Sequence, residues 1–228
     1  MPTAATSVVL VHGAFADGSA WARVIPLLHA QGLEAVAVQN PLTSLEEDMA
    51  HVQRAIDRVK GPVLLVGHSW GGAVITQIGG QEKVTGLVYV AAFAPDAGQS
   101  PNDTLKPFPP SPGLAAVSVD KAGYLFLSPA ALAATYAQDL PEEETALLAA
   151  IQGPCRAACF ATRVTEAAWR TKPSRYVVAA QDRMLPPAFQ RATAARIGAR
   201  TVEVDASHVP YASRPQAVAA VIIEAARG

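Results

Sequence analysis

A serine between glycines is the residue of this chain best placed to do chemistry. Ser69 ends an apolar, β-rich run, with Gly67 two residues before it and Gly71 two residues after it, in the pattern G-x-S-x-G. A helical pattern over residues 73–81 follows at once. At so sharp a turn the strand and the helix pass too close for a Cβ at either flank, which explains the glycines. We predict an exposed, nucleophilic Ser69 hydroxyl; the alternative is an ordinary glycine-rich turn.

The nucleophile needs a base, because a serine hydroxyl attacks well only when its proton is removed. His208 lies in a loop after the last predicted strand, and a parallel sheet would deliver that loop to the same edge as Ser69. We therefore predict His208 as the base; the alternative is a histidine that only packs the loop. The other histidines are assigned to helix surfaces (His29 and His51) or to structural positions (His12 and His68).

An acidic residue is expected to fix the tautomer of the imidazole and to stabilise its cation. Asp182 follows the predicted strand 175–180 and precedes His208, which gives the chain order serine, acid, histidine. Asp96, after the preceding strand, is the second candidate, and Asp205 lies too close to His208 in the chain. The alternative for Asp182 is a helix-capping or turn aspartate.

Attack on an acyl carbon also requires hydrogen-bond donors for the oxyanion. The N–H of Trp70 opens the helix after Ser69 and points to where an anion would form. A second donor is expected from the loop after the first strand, since a parallel sheet of this kind puts that loop beside the serine strand. Ala14 is our first choice for this donor and Phe15 the second.

Strand and helix patterns alternate along most of the chain, which predicts an α/β fold with a mostly parallel sheet flanked by helices. The predicted strands lie at residues 7–11, 34–39, 63–68, 86–92, 175–180 and 201–205, and the first of them is apolar on both faces, as in a parallel sheet. The predicted helices between them lie at residues 19–31, 45–60, 73–81, 187–197 and 215–226.

The alternation stops between residues 97 and 173, where no good strand is evident and prolines are frequent. Helical patterns in this part occur at residues 129–138, 141–151 and 155–164. We interpret residues 1–96 and 174–228 as the core and residues 97–173 as an inserted helical cap. Trp70 is interpreted as a pocket wall, and other apolar residues are candidates for the substrate pocket, the alternative for each being a place in the core: Phe15, Phe93, Phe108, Tyr124, Phe126, Leu185 and Val209.

Composition narrows the range of partners. The 228 residues carry a formal net charge of -1, only 16% of them are charged, and no run of Lys or Arg occurs, which argues against nucleic acid and membrane surfaces as partners. The start of the chain lacks the basic segment of a secretory signal, so we expect a cytoplasmic protein. Cys155 and Cys159 are interpreted as small core residues on one helix face, and no metal or cofactor is predicted.

These motifs together resemble the α/β-hydrolase superfamily, and in detail its small esterase and hydroxynitrile-lyase group. The resemblance rests on Val11-His12-Gly13-Ala14, on Gly67 to Gly72, on Asp182 after its strand and on Ser207-His208. It implies nucleophile, acid, base and oxyanion donors that match those chosen above. It also implies a sheet of six strands, because the first two strands of the full-length fold are missing.

The same resemblance bears on the reaction. Hydroxynitrile lyases of that group carry a lysine where Val209 stands here, which favours hydrolysis of a small, uncharged carboxylic ester through an acyl-enzyme. Acyl transfer, perhydrolysis and hydroxynitrile lysis stay open as alternatives on the same site, and so does a ligand-binding receptor without catalysis. The expected partner is a small-molecule ester, and a homodimer is a further possibility.

Overall fold

The structure is a computed structural model that describes residues 4–228, and these residues form nine strands. The strands are β1 (Ser7–Val11), β2 (Glu34–Ala37), β3 (Val63–His68), β4 (Val84–Val90), β5 (Ser118–Val119), β6 (Tyr124–Phe126), β7 (Cys155–Arg156), β8 (Ser174–Ala179) and β9 (Arg200–Val204).

Six of the strands form one sheet in the order β2-β1-β3-β4-β8-β9, and all neighbouring pairs are parallel. The predicted six-stranded, mostly parallel sheet is thereby confirmed. Every residue of β1 and β3 is buried, as in sheets covered on both faces. The strand order reverses between β1 and β3, so the loops that follow these two strands open a crevice at the carboxyl edge of the sheet.

Helices flank this sheet and also make up much of the insertion. Among residues 4–228 they are α1 (Ile25–His29), α2 (Leu45–Arg58), α3 (Trp70–Ile78), α4 (Pro101–Leu105), α5 (Pro112–Ala115), α6 (Pro129–Thr135), α7 (Glu142–Ile151), α8 (Ala158–Ala161), α9 (Pro187–Arg196), α10 (Pro210–Ser213) and α11 (Pro215–Arg227), with 3-10 turns at Gly18–Trp21 and Ala168–Arg170. No helix in this part of the chain has both the length and the apolar character needed to span a membrane.

The single helix predicted over residues 19–31 is wrong. A 3-10 turn, Gly18–Trp21, comes first, with the Asp17 carboxylate accepting a hydrogen bond from Ser19 N (2.7 Å), and α1 begins only at Ile25. The interruption has a steric cause, because Pro26 lacks an N–H and its ring would clash with a carbonyl one turn earlier in a continuous helix. In α1 this proline lies in the first turn, where proline is tolerated.

The segment 97–173, called the cap segment below, contains strands that were not predicted. β5, β6 and β7 form an antiparallel sheet of three strands. Each has only two or three residues, too few to produce a periodic pattern in the sequence. The helix predicted over residues 155–164 is therefore wrong: Cys155 begins β7, and only Ala158–Ala161 is helical. Both cysteines are buried and free, as expected for small core residues.

Candidate active site

Ser69 occupies a strained turn between β3 and α3. Its backbone has φ 50° and ψ −117°, a conformation that few residues with a side chain adopt. Two backbone hydrogen bonds to the end of β4 hold it there: Ser69 N donates to the Val90 carbonyl (3.2 Å), and Phe93 N donates to the Ser69 carbonyl (3.1 Å). Ser69 is 6% exposed. It is thus more enclosed than the exposed hydroxyl predicted, because the loop after β1 packs against it.

The glycines around Ser69 allow this close packing. A Cβ on Gly67 would lie 2.6 Å from the Gly71 carbonyl oxygen, far inside van der Waals contact. A Cβ on Gly13, in the loop after β1, would lie 2.6 Å from the Ser69 Cβ. Each position therefore excludes a side chain for a steric reason, as the spacing of the G-x-S-x-G motif predicts for Gly67.

His208 and Asp182 form a buried pair. The imidazole Nδ1 lies 2.6 Å from the Asp182 Oδ2, and each side chain is at most 1% exposed. Asp182 also accepts hydrogen bonds from Met184 N (2.7 Å) and Leu185 N (2.9 Å). A carboxylate in this position keeps the proton on Nδ1, which leaves the lone pair of Nε2 free to accept a proton.

The other candidate acids lie elsewhere. The Asp96 carboxylate binds the Arg170 guanidinium at the surface, with Nε donating to Oδ1 (2.9 Å). The hydrogen bond from Arg170 is the main reason that the pKa of Asp96 lies below its ordinary value. Asp205 is exposed. The structure thus brings Asp182, and neither of these two, to His208.

His68 links the base to the turn that holds Ser69. Its Nε2–H donates to the His208 carbonyl (2.8 Å), and the centroids of the two imidazole rings are 4.7 Å apart. His208 is therefore anchored beside the turn. The Ser69 hydroxyl itself makes no hydrogen bond to any of residues 4–228, so its contact with His208 Nε2 stays a prediction.

The loop after β1 reaches the same place. Val11 pairs with Gly67 in the sheet, and the loop then turns sharply at Phe15, which has φ 61°. The backbone N–H groups of Ala14 and Trp70 donate to no acceptor within residues 4–228. The N–H of Phe15, the second choice, also has no acceptor there, so the choice of Ala14 and Trp70 as oxyanion donors stays a prediction.

Comparisons with known proteins identify the family of this chain. The model of the Alpha/beta hydrolase family matches residues 8–221. The chain belongs to that family. It is 28% identical to a pyrethroid hydrolase of Sphingobium wenxiniae, over 96% of this chain and 87% of that protein. It is 26% identical to Salicylic acid-binding protein 2 of Nicotiana tabacum, over 96% of both chains.

A solved structure gives the same result for the fold. The crystal structure of a pyrethroid hydrolase from Sphingobium faniae superposes on this hydrolase with a TM-score of 0.83 and 26% identity, over 97% of each chain. Two of these three proteins are named as hydrolases, and the chain is accordingly a hydrolase of the alpha/beta family.

Two buried polar residues that support the site of this hydrolase were not found from the sequence. The Trp70 indole Nε1 donates to the Asp48 Oδ2 (2.6 Å), and the Asp48 Oδ1 accepts from Leu42 N (2.8 Å). Burial raises the pKa of Asp48, although the bond from Trp70 opposes the change. In the sequence, Asp48 follows two glutamates in the first turn of α2 and so resembles an ordinary residue at the start of a helix. The second residue is Gln190, whose Nε2 donates to the Asp182 Oδ2 (2.7 Å).

Four residues of the cap segment, 136–139, contact all three loops of the candidate site; we call them the cap clamp. The Tyr136 hydroxyl donates to the Ala14 carbonyl (3.1 Å). Gln138 Nε2 donates to the Gln181 carbonyl next to Asp182 (2.6 Å), and the Asp139 carboxylate accepts from Ser207 N next to His208 (2.9 Å). The Tyr136 ring also lies 5.2 Å from the His208 imidazole, between ring centroids. The cap clamp therefore packs on the loops of the predicted oxyanion donor, acid and base.

A cavity of about 220 Å³ lies beside this site, between the core and the cap segment; we call it the elbow cavity. Phe93, whose N–H binds the Ser69 carbonyl, forms part of its wall. Most of its lining is aromatic or aliphatic: Phe15, Phe93, Phe160, Leu105, Val117 and Leu125. Two of the predicted pocket residues, Phe15 and Phe93, are in this lining.

The other predicted pocket residues lie outside the elbow cavity. Tyr124 and Phe126 flank Leu125 in β6, and alternate residues of a strand face opposite sides, so Leu125 lines the cavity in their place. Tyr124 instead packs under the Arg156 guanidinium, and Phe126 is 43% exposed. Phe108 packs on the Phe189 ring. The remaining two are buried in the core: Leu185 and Val209.

Proposed function

We propose that this hydrolase cleaves small carboxylic esters through an acyl-enzyme at Ser69. The observation that carries the proposal is the buried hydrogen bond between His208 and Asp182, anchored beside the strained turn of Ser69. An imidazole with its Nδ1–H bound to a carboxylate has its Nε2 free, and that atom is the base which a serine nucleophile requires.

The reaction would run in two steps. Ser69 Oγ attacks the ester carbonyl carbon while His208 Nε2 takes the hydroxyl proton, and Asp182 stabilises the imidazolium. The oxyanion of the tetrahedral intermediate accepts hydrogen bonds from the N–H groups of Ala14 and Trp70. The imidazolium then protonates the leaving alkoxide. In the second step water attacks the acyl-enzyme, with His208 as base, and the acid and free Ser69 are released.

The relatives support hydrolysis in particular. Two of the compared proteins are named for the hydrolysis of pyrethroids. The residue after His208 is the buried, apolar Val209, so no ammonium group is available at that position. Product analysis with an added alcohol, peroxide or cyanohydrin separates hydrolysis from acyl transfer, perhydrolysis and lysis, because each reaction yields a different product.

The decisive test is the replacement of the nucleophile. We expect Ser69→Ala to lower kcat for p-nitrophenyl acetate by about 10³-fold or more, as in other enzymes with a serine triad. Ser19→Ala is the matched control: Ser19 is exposed, and kcat is expected to stay within about twofold of wild type. Equal rates for the wild type and Ser69→Ala would reject the proposal.

Ligand binding without turnover is the second candidate, favoured by the likeness to a protein whose name states that it binds salicylic acid. Calorimetry with salicylate, together with assays on several esters, distinguishes the two functions. Binding of salicylate with no hydrolysis of any ester would favour a receptor, whereas hydrolysis that depends on Ser69 rejects a purely non-catalytic role.

A further inference from the structure

The elbow cavity is lined on one side by Phe15 and Phe93, from the two loops beside Ser69, and on the other side by residues of the cap segment. Phe93 connects the two, since its N–H holds the Ser69 carbonyl (3.1 Å) and its ring lines the cavity. Phe15 follows Ala14, the predicted oxyanion donor, and lines the cavity from the other loop. Residues next to Ser69 and next to the predicted oxyanion donor thus belong to the wall, which makes the cavity the candidate place for one side of an ester held at Ser69.

The lining of the cavity contains no charged side chain. Three phenylalanine rings and several aliphatic side chains form the wall, and the one polar side chain is that of Asn102, an exposed residue of α4. The charged neighbours of Asn102 are engaged elsewhere, because Asp103 pairs with Lys106 (2.7 Å). A carboxylate or ammonium in the cavity would lose part of its hydration without gaining a counter-ion, which is unfavourable.

The volume sets the size of the group. An apolar cavity of about 150 Å³ holds one benzene molecule. The elbow cavity, at about 220 Å³, has room for one six-membered ring and a small substituent. A methyl group would leave most of the apolar wall without contact, and contacts that are not made contribute nothing to binding of the transition state.

We propose that the elbow cavity selects esters that carry one uncharged aryl or cyclic group, on either the acyl or the alcohol side. This inference rests on the proposed ester hydrolysis at Ser69. It goes further in naming the class of substrate: esters with one ring-sized apolar group, rather than short esters or esters with a charged chain.

Two series of esters that share ethyl acetate test the proposal, with acid release followed at constant pH. The acyl series adds ethyl phenylacetate and monoethyl adipate, and the alcohol series adds benzyl acetate and acetylcholine. In one series we expect the ring ester to exceed ethyl acetate in kcat/KM by about tenfold or more, and to exceed the charged ester by at least as much. The series in which this occurs identifies the side of the ester that enters the cavity.

Variants locate the selectivity in the cavity. Val117→Phe fills the cavity and is expected to lower kcat/KM for the preferred ring ester about tenfold or more relative to that for ethyl acetate. Val119→Phe is the matched control: Val119 is 58% exposed and does not line the cavity, so both rates should be retained. Leu114→Ala enlarges the cavity, and a naphthyl ester should gain relative to the phenyl ester.

The outcomes separate this inference from the proposed function. If no ester is hydrolysed in a manner that depends on Ser69, ester hydrolysis itself fails. If ethyl acetate is hydrolysed through Ser69 but ring esters gain nothing in either series, the inference alone is overturned. It is also overturned if Val117→Phe and Val119→Phe change all esters to the same extent while the thermal unfolding of both variants matches wild type.

Discussion

The Asp182 carboxylate accepts four hydrogen bonds, all of them from buried donors. Two come from the backbone N–H groups of Met184 and Leu185, one from Gln190 and one from His208. Such bonds fix the orientation of the carboxylate. The direction of the His208 ring is therefore determined by the acid loop and by α9, rather than by His208 alone.

Asp182→Asn tests this arrangement. The N–H groups of Met184 and Leu185 hold the asparagine oxygen in the place of Oδ1, so the amide NH2 would face the imidazole and could not accept its Nδ1–H. The ring is therefore expected to turn or to change tautomer, and kcat should fall by about 10³-fold or more. Asp96→Asn is the matched control, since Asp96 also follows a strand of the sheet but pairs with Arg170, and its kcat should stay within about twofold. Equal losses in the two variants would contradict the assignment of the acid.

Local patterns and chain order were enough to find the residues that the structure brings together. The glycines identify Ser69, and the order of the strands identifies His208 and Asp182 as neighbours. The supporting residues were not predicted, for a physical reason. Asp48 binds Trp70 and Tyr136 binds Ala14, and each partner is distant in the chain. No local signal marks a buried side chain whose partner lies in another element.

At the level of elements, the cap clamp couples the cap segment to the core. Three side chains within four residues each bind a backbone group of a different loop. The Asp139 contact is the most direct for the base, because Ser207 N precedes His208. Loss of the acceptor would leave a partly buried N–H without a partner, which costs about 1–3 kcal/mol.

We expect Asp139→Ala to lower kcat about tenfold because the loop of His208 becomes less well fixed, with a smaller effect on KM. Asp139→Asn keeps an acceptor oxygen and should restore most of the loss. Asp57→Ala replaces an exposed aspartate of α2 and should leave kcat within about twofold of wild type. Steady-state kinetics with one ester provides the measurement; an Asn variant as slow as the Ala variant would contradict the role of this hydrogen bond.

The elements of the core were predictable because strand and helix patterns alternate and because the central strands β1 and β3 are buried on both faces. The prediction failed where the elements are short. The strands of the small sheet have two or three residues, and their pairing depends on contacts such as that between Leu125 and Cys155, 30 residues apart in the chain. The helix over residues 19–31 failed because a proline and a capping aspartate interrupt an apolar pattern that continues through both.

For the whole molecule, two buried histidines link stability to pH. Burial lowers the pKa of His12 below its ordinary value of 6.5. Burial, and then the neighbouring His208 imidazole, lower the pKa of His68 well below the same value. The unfolded chain binds these protons below about pH 6.5, whereas the folded chain does not. The free energy of unfolding is therefore greatest above that pH and falls as the pH drops below it.

The expected slope is up to about 1.4 kcal/mol per pH unit for each histidine. Urea unfolding at about pH 7.5 and about pH 5.5 measures the loss. In His68→Gln, which retains an N–H donor for the His208 carbonyl, the loss should be smaller than in wild type by about 1 kcal/mol or more. His29→Gln removes an exposed histidine and should leave the loss unchanged. A loss equal to wild type in His68→Gln would contradict a neutral, buried His68.

Phe93 contributes through two separate sets of atoms. The N–H fixes the carbonyl of Ser69 (3.1 Å), and the ring forms a wall of the elbow cavity. Every residue except proline has that N–H, so an apolar replacement of the buried Phe93 would preserve the attachment of the turn while altering the wall. A mutant library for laboratory evolution could therefore vary position 93 among apolar residues and redesign substrate preference while the hydrogen bond to the Ser69 carbonyl is kept.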